Sequence, residues 1–357
     1  MPSFDPSQAA PGFSIKRVTI VLLPVFVAAL AFLAYKYRAY ESDAQAQGER
    51  MLLGTLGLAK PTKNRLNDRF RDANADLVAD APNDPAQCVS PDTLYFSYVG
   101  GDDADRQHAA WQEFVAALAS NTGKKVEYLD LASIKEQLDA LREGRLHIAG
   151  VNTGNVPAAV NQCGFVPVFT LGDAKGTFGY TVKIIVPTGS PIKSVTDLRG
   201  KRLALTEPGS NSGYKAPLVL LMNDFDLLPQ RDFEWAFTYG HDASIQGIAS
   251  GKYQAAPTAS DMLARATSRG EIDDSKYRVI YESERFPPAS LGYVHNLAPE
   301  LAEKVTRTFK DFNWSGTGLE REFAPSGVTS FVPVRYKDDW ALVRRIDDAM
   351  GTTYVTP

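Results

Sequence analysis

The run Glu207-Pro208-Gly209-Ser210-Asn211-Ser212-Gly213-Tyr214 gathers hydroxyl, amide and glycine residues at one point and carries no charge at its centre. Lys201 to Thr206 before it has the pattern of a short buried strand, and Leu218, Leu221 and Met222 after it recur with helical spacing. The turn must therefore open a helix, whose first amides have no intrahelical partner and carry partial positive charge. That end suits an oxyanion, with Ser210, Asn211 and Ser212 adding side-chain donors to the amides of Gly213 and Tyr214. The competing reading is a serine that does no more than cap its helix.

The surrounding pattern supplies elements to position such a turn. Thr93 to Val99 reads as a strand, and Trp111, Phe114, Val115 and Leu118 mark one face of a helix. A strand near Lys125 to Leu129, a helix from Ser133 to Glu143 stopped by Gly144, and a strand at Leu146 to Val151 follow. The alternation resumes after Tyr180, with a strand ended by Pro187, the strand before Pro208, a strand at Glu234 to Phe237 and a helix from about Asp242 to Ser250. Strand runs at Tyr277 to Glu282 and Leu291 to His295 precede a helix from Pro299 to Phe312. This alternation predicts α/β architecture with parallel sheet clothed by helices. Two lobes joined near Gly179 and Pro287 would form a hinge with a cleft.

With 357 residues, 44% of them hydrophobic, the chain is long enough for two compact domains. A net charge of -4 and the lack of a long basic run argue against nucleic-acid binding, so an anion must be held by local groups. Residues 18–35 are uncharged and flanked by Lys16, Arg17, Lys36 and Arg38, which predicts a retained transmembrane helix anchoring the chain in the inner membrane. The expected order is a cytoplasmic N-terminus over 1–17, the anchor over 18–35 and an extracytoplasmic tether over 36–90. Lobe 1 takes 91–180 with 290–357, and lobe 2 takes 181–289. Cys88 and Cys163 then lie outside the cytoplasm, where a disulfide and two separate thiols are both open.

From Thr93 to about Phe312 the order of features resembles the phosphate, phosphite and phosphonate binding proteins of ABC transporters. The matching pieces are Gly179-Tyr180, Ser194 to Arg202, Pro208 to Tyr214, Gly240-His241-Asp242-Ala243, and Gly251-Lys252 ahead of Ser260-Asp261. The resemblance implies a type II, Venus-flytrap periplasmic binding protein that closes on a small phosphorus oxyanion and works with permease and ATPase subunits, without a cofactor. It implies that Ser210, Asn211, Ser212, Gly213 and Tyr214 form the oxyanion cradle, that Tyr180 and His241 are donors, and that Asp261 faces the ligand's other end. Ile134 and Ala289 stand where aminophosphonate-binding members of the family have a tyrosine and a second carboxylate, so a smaller ligand such as phosphite, methylphosphonate or hydrogen phosphate is favoured.

Two other functions compete with this one. A membrane-anchored sensor would use the same lobes with a separate signalling partner. A serine hydrolase would need Ser210 or Ser212 with His241 and an aspartate, but Gly209 to Gly213 centres on Asn211 where a nucleophile elbow needs serine. No P-loop is present, and the histidines at 108, 147, 241 and 295 have no zinc-ligand spacing.

Overall fold

Thr93–Tyr98 (β1) opens a lobe in which strands and helices alternate: Ala104–Thr122 (α1), Lys125–Tyr128 (β2), Ile134–Arg142 (α2), Ile148–Val151 (β3), Val156–Cys163 (α3) and Phe165–Gly172 (β4). The structure is a computed structural model, and it describes residues 66–98 and 104–354. Trp111, Phe114 and Leu118 of α1 are fully buried, as their spacing requires. The Ser133 hydroxyl caps α2 by accepting from the Glu136 amide, and Gly144 adopts φ +70 just beyond its end.

β1 pairs in parallel with β2 and β3, but the rest of this sheet is antiparallel. Ser290–Val294 (β10) returns from the second lobe between β3 and β4, and Ser330–Pro333 (β11) closes the far edge. The order is β11-β4-β10-β3-β1-β2, a mixed sheet where alternation alone predicted a parallel one. The reason is the excursion itself: a strand that re-enters from another lobe is not bound by the crossover rule that keeps successive β-α-β strands parallel.

In the second lobe, Tyr180–Pro187 (β5) lies between Ala256–Ala259 (β8) and Tyr277–Phe286 (β9), antiparallel to both. Arg202–Leu205 (β6) and Glu234–Phe237 (β7) pair in parallel. A bridge from Leu203 to Ala255, with the Ala204 amide donating to Ala255 O at 2.8 Å, joins this pair to the strands around β5. The helices here are Ala216–Phe225 (α4), His241–Ala249 (α5) and Ser260–Ser268 (α6).

The chain passes between lobes through 173–179 and 287–289. The returning segment is held by Thr153 Oγ1 donating to Pro287 O at 2.8 Å and Thr170 Oγ1 donating to Ala289 O at 2.9 Å. Pro299–Asp311 (α7) and Gly318–Phe323 (α8) then cover lobe 1, where Phe309, Phe323 and Phe331 join Trp111 and Phe114 in one aromatic core. After Tyr336–Asp339 (α9), the last helix, Ala341–Ala349 (α10), spans both lobes: Trp340 at its start donates to Thr153 O at 3.2 Å, while Asp347 pairs with Lys215 beside α4.

The expectation of an N-terminal transmembrane helix is corrected. No helix among the described residues is long and apolar enough to cross a membrane, and residues 18–35 lie outside the described residues. The fold is that of a two-lobed α/β binding protein, and neither a membrane anchor nor an inner-membrane location is assigned to it. Most of the expected tether, 36–65, also lies outside the described residues. From Leu66 onward the chain lies against lobe 1, with the Asn67 amide donating to Asn161 Oδ1 and Phe70 edge-on to His295.

Candidate functional site

The helix that follows β6 begins with an unusually wide turn, and Pro217 explains it. Asn211–Lys215 is a π-turn, in which the Lys215 amide reaches Ser210 O at 3.0 Å and the Ala216 amide reaches Asn211 O. Pro217 has no N–H for the carbonyl four residues back, and its ring crowds that carbonyl. Gly213 O accordingly turns outward and accepts from the Thr206 amide at 3.1 Å, which ties the helix start to the end of β6. Such turns are rare and frequently sit at functional sites. Ser210 caps the helix, its Oγ accepting from the Gly213 amide at 3.0 Å.

The cradle side chains form two short chains of hydrogen bonds. Asn211 Nδ2 donates to Tyr180 Oη at 2.9 Å, and Ser212 Oγ lies 3.1 Å from His241 Nε2. The other imidazole nitrogen, Nδ1, lies 3.0 Å from Thr258 Oγ1. Burial pushes the Tyr180 phenol up to about 12, with the side chains of Thr153, Asn211 and Ser212 partly offsetting it, so the hydroxyl keeps its proton and can donate. Burial pulls the His241 imidazole down to about 4, against the opposing pull of Asp261 and Asp242, so the ring is neutral near pH 7 and has one N–H to donate.

Lobe 1 approaches the cradle at Gly154. A Cβ on this residue would stand 2.4 Å from Gly209 O and 2.8 Å from the Asn211 amide nitrogen, so only glycine permits this approach. Asn155 Nδ2 donates to Gly209 O at 3.0 Å, and Lys215 Nζ donates to Gly154 O at 2.7 Å. The two lobes therefore touch on either side of the helix tip.

A second group of contacts closes the cleft farther out. Arg106 of lobe 1 lies 3.3 Å from Asp242 of lobe 2, and Glu322 of lobe 1 lies 3.6 Å from both Arg265 and Arg269 of lobe 2. Asp261 faces this cluster and lies 3.4 Å from Arg265 Nη1. Tyr98, at the end of β1, brings its phenol within electrostatic reach of Arg265, Asp261 and Glu322; burial is the main cause that holds its proton on. Its ring occupies the space beside Gly150 of β3, where a Cβ would stand 2.3 Å from Tyr98 Cδ2.

The structure thus brings together Tyr180, Asn211, Ser212 and His241, with Asp261 close enough to bias the titration of Tyr180 and His241. Two expectations change in detail. The Gly213 amide is taken by Ser210 Oγ, and the Tyr214 side chain lies fully buried against Phe237, away from the other donors. Ile134 begins α2, and Ala289 is fixed by its carbonyl beside β4. The sequence reading missed Thr153, Gly154 and Asn155, Tyr98, Arg265, Glu322 and Thr258. For Arg265 a signal existed, since it follows Asp261 at the i,i+4 helix spacing; for the lobe 1 residues nothing local pointed across the seam. The serine-histidine pair has hydrolase form, but Thr258 stands where a hydrolase would use a carboxylate to orient the ring.

A seam between two α/β lobes joined by two strands of chain, lined with neutral donors at a helix start, defines an extracytoplasmic solute-binding protein of the hinged kind. Residues 96–340 match the family described as "ABC transporter, phosphonate, periplasmic substrate-binding protein", and the chain belongs to that family. It is a family of binding proteins, not enzymes. The phosphate-import protein PhnD of Mycolicibacterium smegmatis is 22% identical over 247 residues, covering 66% of this chain and 77% of that one. Among solved structures, a binding protein component of an ABC phosphonate transporter from Pseudomonas aeruginosa has a TM-score of 0.62 at 19% identity, over 71% of this chain and 85% of the other. PhnD1 from Prochlorococcus marinus, solved with methylphosphonate, has a TM-score of 0.61 at 12% identity, over 72% of this chain and 98% of the other. These likenesses carry the two-lobed fold.

Proposed function

We propose that this chain captures a small phosphorus oxyanion for an ABC permease and its ATPase, and that the hydroxyls of Ser210 and Ser212, the Asn211 side chain and the amides of Asn211, Ser212 and Tyr214, with Tyr180 and His241, hold the oxygens. The observation that carries this reading is the convergence of the Asn211–Tyr180 and Ser212–His241 pairs on one helix start inside the seam. These donors satisfy one another; an oxyanion with three outward oxygens would draw the Tyr180 hydroxyl, the His241 N–H and the serine hydroxyls to itself. Each such bond to a charged acceptor contributes roughly 1.5 to 3 kcal/mol. Four or five of them, after the cost of association, leave about -8 kcal/mol, a micromolar complex.

The relative named for phosphate import and the neighbour solved with methylphosphonate support ligands of this size. Ala289 supports the same limit, since it supplies no second carboxylate to hold an ammonium group. The test is calorimetric titration of the purified chain with phosphite, phosphate, methylphosphonate and aminoethylphosphonate. Ser212→Ala and His241→Ala are expected to weaken binding by roughly 1 to 3 kcal/mol each while the protein stays folded. Unchanged affinity in both variants would move the cradle elsewhere.

A further inference from the structure

We propose that Arg265 sets which phosphorus oxyanions the cleft accepts, by engaging the Asp261 carboxylate so that the wall facing the ligand's second end has no free negative charge for an ammonium group. This rests on the oxyanion reading of the cleft. Asp261 and Arg265 lie one turn apart on α6, with Nη1 3.4 Å from Oδ2. Arg265 is only 5% exposed, and its guanidinium sits 5.0 Å from the Phe323 ring centroid, so lobe 1 packs it in place when the lobes meet. Glu322, the other carboxylate at this end, is shared by Arg106, Arg265 and Arg269.

A lone carboxylate beside an oxyanion cradle would select a zwitterion, because the ligand's cation would relieve it. Here the guanidinium already does so, and an added ammonium would meet Arg265 as a like charge. What Asp261 still offers is Oδ1, which is buried and has no hydrogen-bond partner among the described residues. A carboxylate oxygen in that state accepts a proton-bearing group, and the P–OH of a singly protonated phosphite, phosphate or methylphosphonate is such a donor. The site therefore favours a compact, protonated oxyanion with a short neutral substituent.

The experiment compares methylphosphonate with aminoethylphosphonate in the wild-type chain, Arg265→Gln, Arg265→Lys, Asp261→Asn and Glu322→Gln, by titration calorimetry with circular dichroism as the folding control. The wild type is expected to prefer methylphosphonate by tenfold or more, roughly. Arg265→Gln is expected to shift that ratio toward aminoethylphosphonate by about tenfold, and Arg265→Lys to keep it. Glu322→Gln loosens the seam while leaving Arg265 on Asp261, so it should weaken both ligands alike and leave their ratio unchanged. An equal preference in the wild type, or an unaltered ratio in a folded Arg265→Gln protein, would overturn the proposal. If Arg265→Gln does not fold, Asp261→Asn decides: selective loss of methylphosphonate supports the P–OH contact, and equal loss of both ligands sinks it. A wild type that binds neither ligand, nor phosphate, would defeat the oxyanion reading itself, a different result from binding with no discrimination.

Discussion

Lys215 Nζ lies 2.8 Å from Asp347 Oδ1, and this ion pair fastens the start of the cradle helix to the last helix of the chain. Both groups are almost wholly buried, and both are otherwise satisfied: Lys215 also donates to Gly154 O at 2.7 Å, and Asp347 Oδ2 accepts from Tyr354 Oη at 2.6 Å. A buried pair of this kind contributes little over an apolar substitute, but breaking it on one side strands a charge. Lys215→Met should therefore destabilise the fold by about 3 to 5 kcal/mol in urea titrations. The double change Lys215→Met with Asp347→Leu should recover most of that loss; equal instability of single and double variants would show that the ammonium serves chiefly to hold Gly154.

Gly154 is where lobe 1 meets the backbone of the cradle. Its Cβ in a Gly154→Ala protein would stand 2.4 Å from Gly209 O, a backbone atom that can yield only if the lobes part. Overpacking of this sort costs roughly 1 to 3 kcal/mol, charged here to closure and not to either lobe's core. Ligand affinity should fall by roughly tenfold or more, with the melting of the unliganded protein little changed. Small-angle scattering should show less compaction on adding ligand than in the wild type, and a fully compact liganded variant would contradict this.

His241 gives a definite sign to the dependence of stability on pH. Its folded-state value, lowered by burial from 6.5 to about 4, means that the unfolded chain takes up a proton first as pH falls. Stability is thus undiminished above about pH 6.5, is lost progressively down to about pH 4, and is constant below that as far as this group is concerned. The ring is partly rather than wholly buried, so the loss should be on the order of 2 kcal/mol. Denaturant midpoints for the wild type and His241→Gln across this range should converge toward acid pH; parallel curves would mean that the imidazole titrates normally in the folded protein.

Cys88 and Cys163 are separate thiols. Burial pushes the Cys163 thiol up to about 11, with Arg142 and Arg69 only partly countering it, while Cys88 is partly exposed. A disulfide-exchange reagent near neutral pH should modify Cys88 in the native protein and Cys163 only after unfolding. Failure of the denatured, unreduced protein to yield either thiol would mean that the two are joined.

How far local pattern reaches is clear from particular elements. β7 lies at Glu234–Phe237 as read from its apolar run, and α2 begins after its Ser133 cap, because period and capping chemistry act over a few residues. β8, over Ala256 to Ala259, is not legible locally because Ala-Pro-Thr-Ala has little strand character and is a strand only through its pairing with β5. The run over 18–35, read as an anchor from its length and apolar character, lies outside the described residues, and among those no helix is long and apolar enough to cross a membrane.

The oxyanion-friendly helix start, with its small hydroxyl residues and the proline that widens it, was determined by the sequence alone, since capping and ring sterics depend only on neighbours along the chain. Tertiary structure alone decided what faces that helix start. Gly154 meets it from one lobe, Lys215 crosses to Asp347, and Glu322 reaches across to Arg265. Those relationships join residues far apart in sequence, and only the closing of one lobe on the other brings their charges and carbonyls within a few ångströms, where low dielectric makes each contact count.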